Sequence, residues 1–243
     1  MPKFFVSPEQ IHGEQIILTE DAHHIAHVLR MKPGASLTVC DGQGTDHQAR
    51  IVSMDEQAVV CQIESSAPSL AEPDIKITLF QGLPKADKME WILQKGTELG
   101  ITTYVPVEMK RSVAHIEPKK EARKLERFRK IAESAAKQSG RGIIPEVESA
   151  CTLDRVLARV HDFDLFLVPY EDALDHSLKQ ILNGLSEKPR TVGLLIGPEG
   201  GIDPAEVDAL VRQGAVLTGL GPRILRTETA GPMAASVILY HFS

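Results

Sequence analysis

The chain has 243 residues, of which 42% are hydrophobic, and a formal net charge of −6 at pH 7. These values are typical of one large or two modest globular domains and argue against an intrinsically disordered chain. Residues 1–8 contain no apolar run long enough for a signal peptide, and no later segment approaches the roughly 18 apolar residues of a membrane span. Three scattered cysteines without a Cys-x-x-Cys spacing argue against a disulfide framework and a zinc site. We therefore expect a soluble cytoplasmic protein without a membrane partner.

Residues 1–65 contain short β-type segments separated by polar turns. The predicted strands comprise residues 15–18, 36–40, 47–54 and 58–64. One helix is predicted after the first of them, with Thr19 as its cap. Its apolar stripe would be formed by Ala22, Ile25, Val28 and Leu29. This region is predicted to be a small β-barrel.

Residues 65–74 are rich in Ser, Ala and Pro and show no periodicity, so we place the boundary between two domains, residues 1–70 and 75–243, in this stretch. Beyond it, strand-like runs are predicted at residues 75–81, 103–107, 163–168, 191–196 and 215–220. Helical patterns alternate with them at residues 87–99, 119–139, 153–160 and 204–212. This alternation predicts an α/β domain with a mostly parallel sheet, whose ligands bind beyond the carboxyl ends of its strands.

The stretch from Lys110 to Gly142 is strongly basic, although the chain as a whole is acidic. It contains eleven Lys and Arg and four Glu, a local charge of +7 that leaves −13 for the remainder. This excess is too large to be cancelled by internal pairs such as Glu126 with Lys130. A solvated helix face and a polyanion-binding surface are both open interpretations, and the excess favours the second.

A glycine-rich turn follows the predicted strand at residues 191–196, and Asp203 and Glu206 predict a capping box for the helix beyond it. The turn contains Gly197, Gly200 and Gly201, which allow a ligand to approach the backbone closely. The P-loop and dinucleotide spacings are absent, and Glu199 would repel a phosphate. The turn therefore suits ribose hydroxyls or a cationic ligand, with a turn kept only for packing as the alternative.

A second turn, residues 220–230, follows the last predicted strand. Because both turns follow strands of one sheet, we expect them to lie near each other. Ile224 and Leu225 stand between Arg223 and Arg226 and are predicted to form a wall of a pocket, while Thr227 is a candidate cap of the last helix. That helix, residues 228–242, is apolar around most of its circumference, which either packing on its own sheet or a homodimer interface would explain.

Several segments in register resemble one known family. They are residues 24–34, 81–100, 130–141, 194–201 and 220–230, and together the likeness spans nearly the whole chain. In these segments the chain is similar to SPOUT-class 16S ribosomal RNA uridine-N3 methyltransferases. The resemblance implies an N-terminal PUA-like β-barrel that grips RNA and a C-terminal α/β domain with a deep trefoil knot. It also implies a homodimer, S-adenosylmethionine as cofactor, and 16S ribosomal RNA in the small (30S) subunit as substrate.

Carried over residue by residue, the resemblance assigns the cofactor to three loops. The implied cofactor-binding residues are Leu167, Val168, Pro169, Tyr170, Ile196, Gly197, Pro198, Glu199, Gly200, Gly201, Leu220, Gly221, Ile224, Leu225, Arg226, Thr229 and Ala230. The first loop, residues 167–170, is the weakest match because its side chains carry no distinctive chemistry.

Methyl transfer to uracil N3 requires removal of a proton and stabilisation of the charge that develops on the ring oxygens. We hypothesise that Arg226 or Arg223 supplies the positive field and that Glu199 or Glu228 is the base. RNA contacts are predicted at His24, His27, Arg30, Lys32, Lys110, Arg111, Lys137 and Arg141. His23 and His27 share a helix face, but the sequence offers no third ligand beside them, so no metal site is predicted.

The sequence is also compatible with two other classes of protein. A ribosome-assembly factor without catalytic activity would share the basic surface and the barrel, and a nucleotide-dependent α/β enzyme would share the sheet. Within the methyltransferase interpretation, transfer of the methyl group to a ribose 2′-hydroxyl of transfer RNA is the nearest alternative.

Overall fold

The computed structural model describes residues 3–173 and 175–243. The chain divides into two compact units, Met1–Glu72 with Ala136–Ile144, and Pro73–Ala135 with Pro145–Ser243. The inclusion of Ala136–Ile144 in the first unit was not indicated by the sequence. The domain limits at residues 1–70 and 75–243 stay a prediction.

The first unit contains a six-stranded mixed sheet in which β1 pairs in parallel with β4 and the other neighbours are antiparallel. Its strands are β1 (Lys3–Phe5), β2 (Ile11–His12), β3 (Gln15–Leu18), β4 (Ser36–Cys40), β5 (Thr45–Met54) and β6 (Val59–Pro68). They are ordered β1-β4-β5-β6-β3-β2. Alternating residues such as Leu37, Val39, Ala49 and Ile51 point into one buried cluster, as the period of two along a strand requires. The four strands predicted in this region are confirmed.

Strand β6 extends to Pro68, so the prediction of an irregular stretch from residue 65 onwards is wrong for its first four residues. Residues 65–68 pair with Thr45–Gln48 of the long strand β5. Pairing with an existing ten-residue strand therefore outweighs the local turn preference of Ser and Pro.

The predicted helix after Thr19 is also only partly correct. The structure has a one-turn π-helix at His24–Val28, preceded by His23 without a side-chain cap. Ala22 and Ile25 are buried, but Val28 and Leu29 are exposed. The i→i+5 hydrogen bonding of a π-helix departs from the 3.6-residue period on which the predicted stripe depended, so Val28 and Leu29 do not share the buried face of Ala22 and Ile25.

Hydrogen bonds to Glu72 connect residues 141–143 to the rest of the first unit. The Glu72 carboxylate accepts hydrogen bonds from the amides of Gly142 at 2.7 Å and Ile143 at 3.0 Å. It also accepts a hydrogen bond from Nη2 of Arg141 at 2.6 Å, and the Arg141 side chain is only 3% exposed. The segment thus contributes a buried ion pair to the first unit.

The second unit contains a seven-stranded sheet whose pairings are all parallel. Its strands are β7 (Lys76–Gly82), β8 (Thr103–Glu108), β9 (Glu146–Val147), β10 (Cys151–Thr152), β11 (Leu165–Pro169), β12 (Thr191–Ile196) and β13 (Val216–Thr218). The order is β10-β8-β7-β12-β11-β13, with β9 beside β8. The helices are α1 (Lys88–Glu98), α2 (Pro118–Ser139), α3 (Leu153–Leu157), α4 (Leu178–Gly184), α5 (Pro204–Arg212) and α6 (Thr227–His241). The last residues of α2, from Ala136, belong to the first unit.

Both faces of this sheet are buried. Leu79 and Leu194 point into one apolar cluster, whereas the next residues along their strands, Phe80 and Leu195, point into the other. Strands covered on both faces are nearly continuous hydrophobic runs, which is the pattern predicted from sequence. The fold class, a small PUA-like β unit followed by a parallel α/β unit, is confirmed, and the knot stays a prediction.

The strand register brings four carboxyl ends together. Gln81 of β7 pairs with Ile196 at the end of β12, and Pro169 at the end of β11 pairs with Thr218 at the end of β13. The segments after these strands therefore emerge along one edge of the sheet. None of the helices among the described residues has the length and apolar character needed to cross a bilayer.

Candidate functional site

A cavity of about 420 Å³ lies at this edge of the sheet, within the size range of small-molecule sites. It is formed by the segments that follow β11, β12 and β13 and by the start of α6. Its lining residues are Lys88, Pro169, Tyr170, Glu171, Ile196, Gly197, Pro198, Glu199, Gly201, Ile202, Gly219, Leu220, Gly221, Pro222, Arg223, Ile224, Leu225, Arg226, Thr227 and Ala230. The prediction that the two glycine-containing turns meet in one cavity is confirmed.

Four of the predicted cofactor residues do not line the cavity. Leu167 and Val168 are buried within β11 and belong to the apolar clusters on the two sides of the sheet, because this strand continues to Pro169. Gly200 lies beside Arg111, whose Nη1 donates to its carbonyl at 3.3 Å. Thr229 is an exposed residue in the first turn of α6. The cavity-lining part of the first loop therefore begins at Pro169.

The first turn is held by the start of α5 and by the end of β7. The Asp203 side chain accepts a hydrogen bond from the Ala205 amide at 3.2 Å, and Glu206 completes the predicted capping box, which is confirmed. At the other end of the turn, a Cβ on Gly82 would lie 2.6 Å from the backbone nitrogen of Pro198. The absence of a side chain at Gly82 thus permits close contact between strand end and turn.

The second turn exposes charged and apolar side chains at the rim of the cavity. Arg226 is 82% exposed and Ile224 is 87% exposed, while Leu225 packs against the core of the second unit. Both Ile224 and Leu225 line the cavity, as predicted. The prediction that Thr227 caps the last helix is wrong, because Arg226 precedes the helix and Thr227 is its first residue.

A lysine that the sequence analysis missed joins the two turns. Lys88 Nζ lies 2.9 Å from Oε1 of Glu199 and 3.2 Å from Oε2 of Glu228. The hydrogen bond to Glu199 raises the pKa of Lys88 above its ordinary value. One sequence feature could have identified Lys88. It is the first residue of a helix that follows a central strand, and such positions lie at the carboxyl edge of a parallel sheet.

The two candidate bases have different surroundings. Burial raises the pKa of Glu199, but hydrogen bonds from Lys88 and from the amides of Glu199 and Lys85 outweigh it, so this pKa is lowered. The carboxylate of Glu228 is mostly buried, and its Oε2, although at ion-pair distance from Lys88, has no partner with hydrogen-bond geometry among the described residues. Arg226 Nη1 lies 4.0 Å from the other oxygen of Glu228.

The predicted RNA-contacting residues divide between the two units. His24, His27, Arg30 and Lys32 are exposed in the first unit. In the second unit, Lys110 and Arg111 are exposed and form ion pairs with Asp203 at 3.1 and 3.7 Å. Lys137, near the end of α2 and in the first unit, is also exposed. Arg141 departs from the prediction of a surface contact, because its buried guanidinium is engaged by Glu72. Within residues 3–173 and 175–243, no group of three or more His, Cys, Asp or Glu is placed to hold a metal ion.

Two protein-family models match the chain. Residues 71–239 match a model described as an RNA methyltransferase domain. Residues 17–64 match one described as an RNA methyltransferase PUA domain. The matches cover the parallel sheet with its cavity and most of the small β unit.

Similar proteins cover nearly the whole chain. A Bacillus subtilis (strain 168) protein named ribosomal RNA small subunit methyltransferase E is 40% identical over 227 residues, which are 92% of this chain and 89% of that protein. A protein of the same name from Mycobacterium bovis is 30% identical over 90% of this chain and 83% of its own length. A crystal structure of a protein of that name from Neisseria gonorrhoeae, bound to S-adenosyl methionine, superposes with a TM-score of 0.82 at 28% identity, covering 98% of this chain and 96% of the other.

Proposed function

The chain belongs to the ribosomal RNA small subunit methyltransferase E family, and from this premise we propose that it methylates N3 of a uridine in 16S ribosomal RNA. The cofactor is S-adenosylmethionine, which the similar Neisseria gonorrhoeae structure contains. The observation that carries the proposal is the convergence of two glycine-containing turns and a Lys–Glu cluster on one cavity at the carboxyl edge of a parallel sheet.

The residues around the cavity fit S-adenosylmethionine. Ile196, Leu225 and Ala230 offer apolar walls, while the backbone at Gly197 and Gly221 can approach a flat base and ribose hydroxyls closely. A Cβ at Gly221 would meet no atom within 4 Å, so the space beside this residue is open. Its φ of 104° nevertheless favours glycine. The carboxylate of Glu199, which lines the cavity, is an acceptor that suits a ligand carrying an ammonium and a sulfonium group.

When bound, the cofactor supplies a methyl group on a positively charged sulfur. The chain must bring the acceptor nitrogen in line with that group and exclude competing positions, and such positioning is a large part of the acceleration of a bimolecular step. The exposed side chains of Arg223, Ile224 and Arg226 lie at the rim where a base would arrive. We assign them to orientation of the uridine and to the positive field beside its ring oxygens.

Different observations speak for each of the two candidate bases. Lys88 and the Lys85 amide already use the carboxylate of Glu199, and its lowered pKa makes it a weaker proton acceptor. Glu228 does not line the cavity, and its Oε2 is buried at 3.2 Å from Lys88. Access to the cavity therefore favours Glu199, while the lowered pKa of Glu199 favours Glu228, and both carboxylates stay candidate bases.

RNA would be held by both units. In the first unit the exposed His24, His27, Arg30, Lys32 and Lys137 are the proposed contacts, and in the second Lys110 and Arg111. We leave Arg141 out because it is buried.

We also propose a homodimer. Helices α1 and α6 pack together, yet Trp91 of α1 is 44% exposed and Tyr240 of α6 is 83% exposed. Large exposed apolar side chains on adjacent helices form a surface that a second copy of the chain can bury.

The direct test is incubation of the protein with radiolabelled S-adenosylmethionine and unmodified 30S particles, followed by nucleoside analysis. The expected product is 3-methyluridine in 16S RNA. Protein-free 16S RNA and transfer RNA serve as competing substrates. Label in a ribose 2′-O-methyl nucleoside, or cofactor binding without transfer to any RNA, would contradict the proposal.

A further inference from the structure

The polar side chains of Gln81 and Thr227 are buried between the two turns that form the cavity. Gln81 is on β7, and its side chain is fully buried, as is most of Thr227 at the first position of α6. Gln81 does not line the cavity. Neither residue takes part in the chemistry proposed above, so their hydrogen bonds require a separate explanation.

Their hydrogen bonds form a directed chain. Gln81 Nε2 donates to Oγ1 of Thr227 at 2.8 Å, and the Thr227 hydroxyl donates its proton to the carbonyl oxygen of Gly197 at 2.6 Å. Gln81 Nε2 uses its second proton on the carbonyl of Gly82 at 3.0 Å. The amide orientation is thus set by two acceptors, and the Thr227 hydroxyl has one consistent direction.

This chain joins three parts of the site. Gly197 is the first residue of the turn after β12, Thr227 follows the turn after β13, and Gln81 lies at the end of the neighbouring strand β7. The Thr227 hydroxyl therefore links the turn after β12 directly to the end of the turn after β13. The close approach of Gly82 to Pro198 independently seats the first turn on the same strand end.

We propose that Gln81 and Thr227 are positioning residues that hold the two turns at the separation required for S-adenosylmethionine. This inference rests on the proposed function. Without the hydroxyl, Gln81 Nε2 and the Gly197 carbonyl would each lose a buried partner, and the Gly197 turn could move away from the start of α6. The cavity would then exist over a range of widths, which weakens binding of a ligand that must contact both turns.

Two substitutions at one position test the proposal. T227V keeps the shape of the side chain and removes both hydrogen bonds, whereas T227S keeps the hydroxyl. We expect calorimetry to show S-adenosylmethionine affinity about tenfold weaker for T227V, which corresponds to ~1.4 kcal/mol, and nearly unchanged for T227S. T97V is the matched control, because Thr97 is also a buried threonine, and its hydroxyl is hydrogen-bonded to Tyr104 at 3.2 Å, away from the cavity. It should lower stability and leave affinity unchanged.

A variant at Gln81 gives a pH-dependent affinity that would not be expected if Gln81 only stabilised the fold. In Q81E the introduced carboxylate cannot donate, so the Thr227 hydroxyl is drawn towards it and away from Gly197. A buried carboxyl has a raised pKa, and once protonated it can donate again. The affinity of Q81E relative to wild type should therefore recover as the pH is lowered from about 8 to about 6.

The outcomes separate the inference from the proposed function. If the wild-type protein does not bind S-adenosylmethionine, the proposed function fails and this inference with it. If wild type binds and folded T227V binds equally well, or T227S loses as much affinity as T227V, the inference alone is overturned. Urea unfolding of each variant without cofactor establishes that the binding measurements are made on folded protein.

Discussion

Lys88 Nζ lies 2.9 Å from Oε1 of Glu199, an ion pair that joins the first residue of α1 to the turn after β12. The same ammonium group lies 3.2 Å from Oε2 of Glu228 in the first turn of α6. One cation therefore stands between two carboxylates that would otherwise repel each other at the edge of the cavity. Its removal should disturb both turns at once.

We predict that K88M lowers the rate of methyl transfer to 30S particles by about tenfold or more, because Glu199 and Glu228 would lose the cation that orients them. K88R keeps the charge and should retain most of the activity. Initial rates at saturating cofactor measure the effect, and calorimetry separates it from loss of cofactor affinity. A K88M enzyme as active as wild type would remove Lys88 from the site.

The Lys88–Glu199 pair should also make stability depend on pH. The pKa of Glu199 is lowered on folding, so its stabilising contribution is present above the ordinary glutamate pKa and is lost as pH falls through the lower folded-state value. We expect E199Q to reduce the melting temperature at pH 7 by about 2 °C, as a partly exposed ion pair would in a chain of this size. The difference from wild type should shrink below about pH 4. E187Q, at an exposed position, is the control, and a difference that persists unchanged at low pH would contradict this account.

The contact between Gly82 and the first turn predicts a steric effect. In G82A the added methyl would lie 2.6 Å from the Pro198 nitrogen and 2.9 Å from the Gly197 carbonyl carbon, so backbone must move. We expect a loss of about 1–3 kcal/mol in the free energy of unfolding, measured in urea, together with weaker cofactor binding. G184A is the matched control because a Cβ there meets no atom within 4 Å at the end of α4. Equal stability of the two variants would show that the turn at Pro198 can accommodate a methyl group on residue 82.

Loss of the contacts between Glu72 and residues 141–143 should lower the free energy of unfolding. E72A removes the carboxylate of the buried ion pair with Arg141 and the acceptor for the amides of Gly142 and Ile143. Because one partner of a buried ion pair is lost, we expect a decrease of about 3–5 kcal/mol in unfolding free energy. E126A breaks the exposed pair with Lys130 and should have no measurable effect. Similar unfolding curves for the two variants would overturn the distinction.

The parts of the molecule that local chemistry determines could be predicted from sequence. Strand β12 and helix α5 were predicted with their observed limits, because an apolar run ends at glycine and Asp203 begins a capping box. The convergence of the turns at residues 197–201 and 221–226 followed from the parallel sheet.

Features that depend on distant partners could not be predicted in this way. Lys88 resembles any helix-initial lysine until Glu199 and Glu228 are brought beside it. Arg141 belongs to a basic run whose charge suggested a surface, yet Glu72 draws it into the interior. Val28 and Leu29 fit an α-helical stripe, but the π-helical turn at His24–Val28 changes the period and leaves both residues exposed.

The exposed Arg30 and Lys32 of the first unit give a prediction about RNA binding. Removing a side chain that binds a phosphate should reduce both the affinity and its salt dependence, because fewer counterions are released on binding. For the double variant R30A/K32A we expect the slope of log affinity against log salt concentration to become shallower by about 1–2 units. Filter binding to 16S RNA at several salt concentrations measures this slope.

The matched control for that double variant is K179A/R212A, which also removes one Lys and one Arg, both exposed, from α4 and α5 of the second unit. Both variants change the net charge equally, so non-specific attraction to RNA falls by the same amount. A localised RNA-binding surface requires a larger reduction of the slope for R30A/K32A than for its control. Equal slopes in the two variants would mean that RNA responds only to total charge, and residues 24–32 would then be excluded as a contact surface.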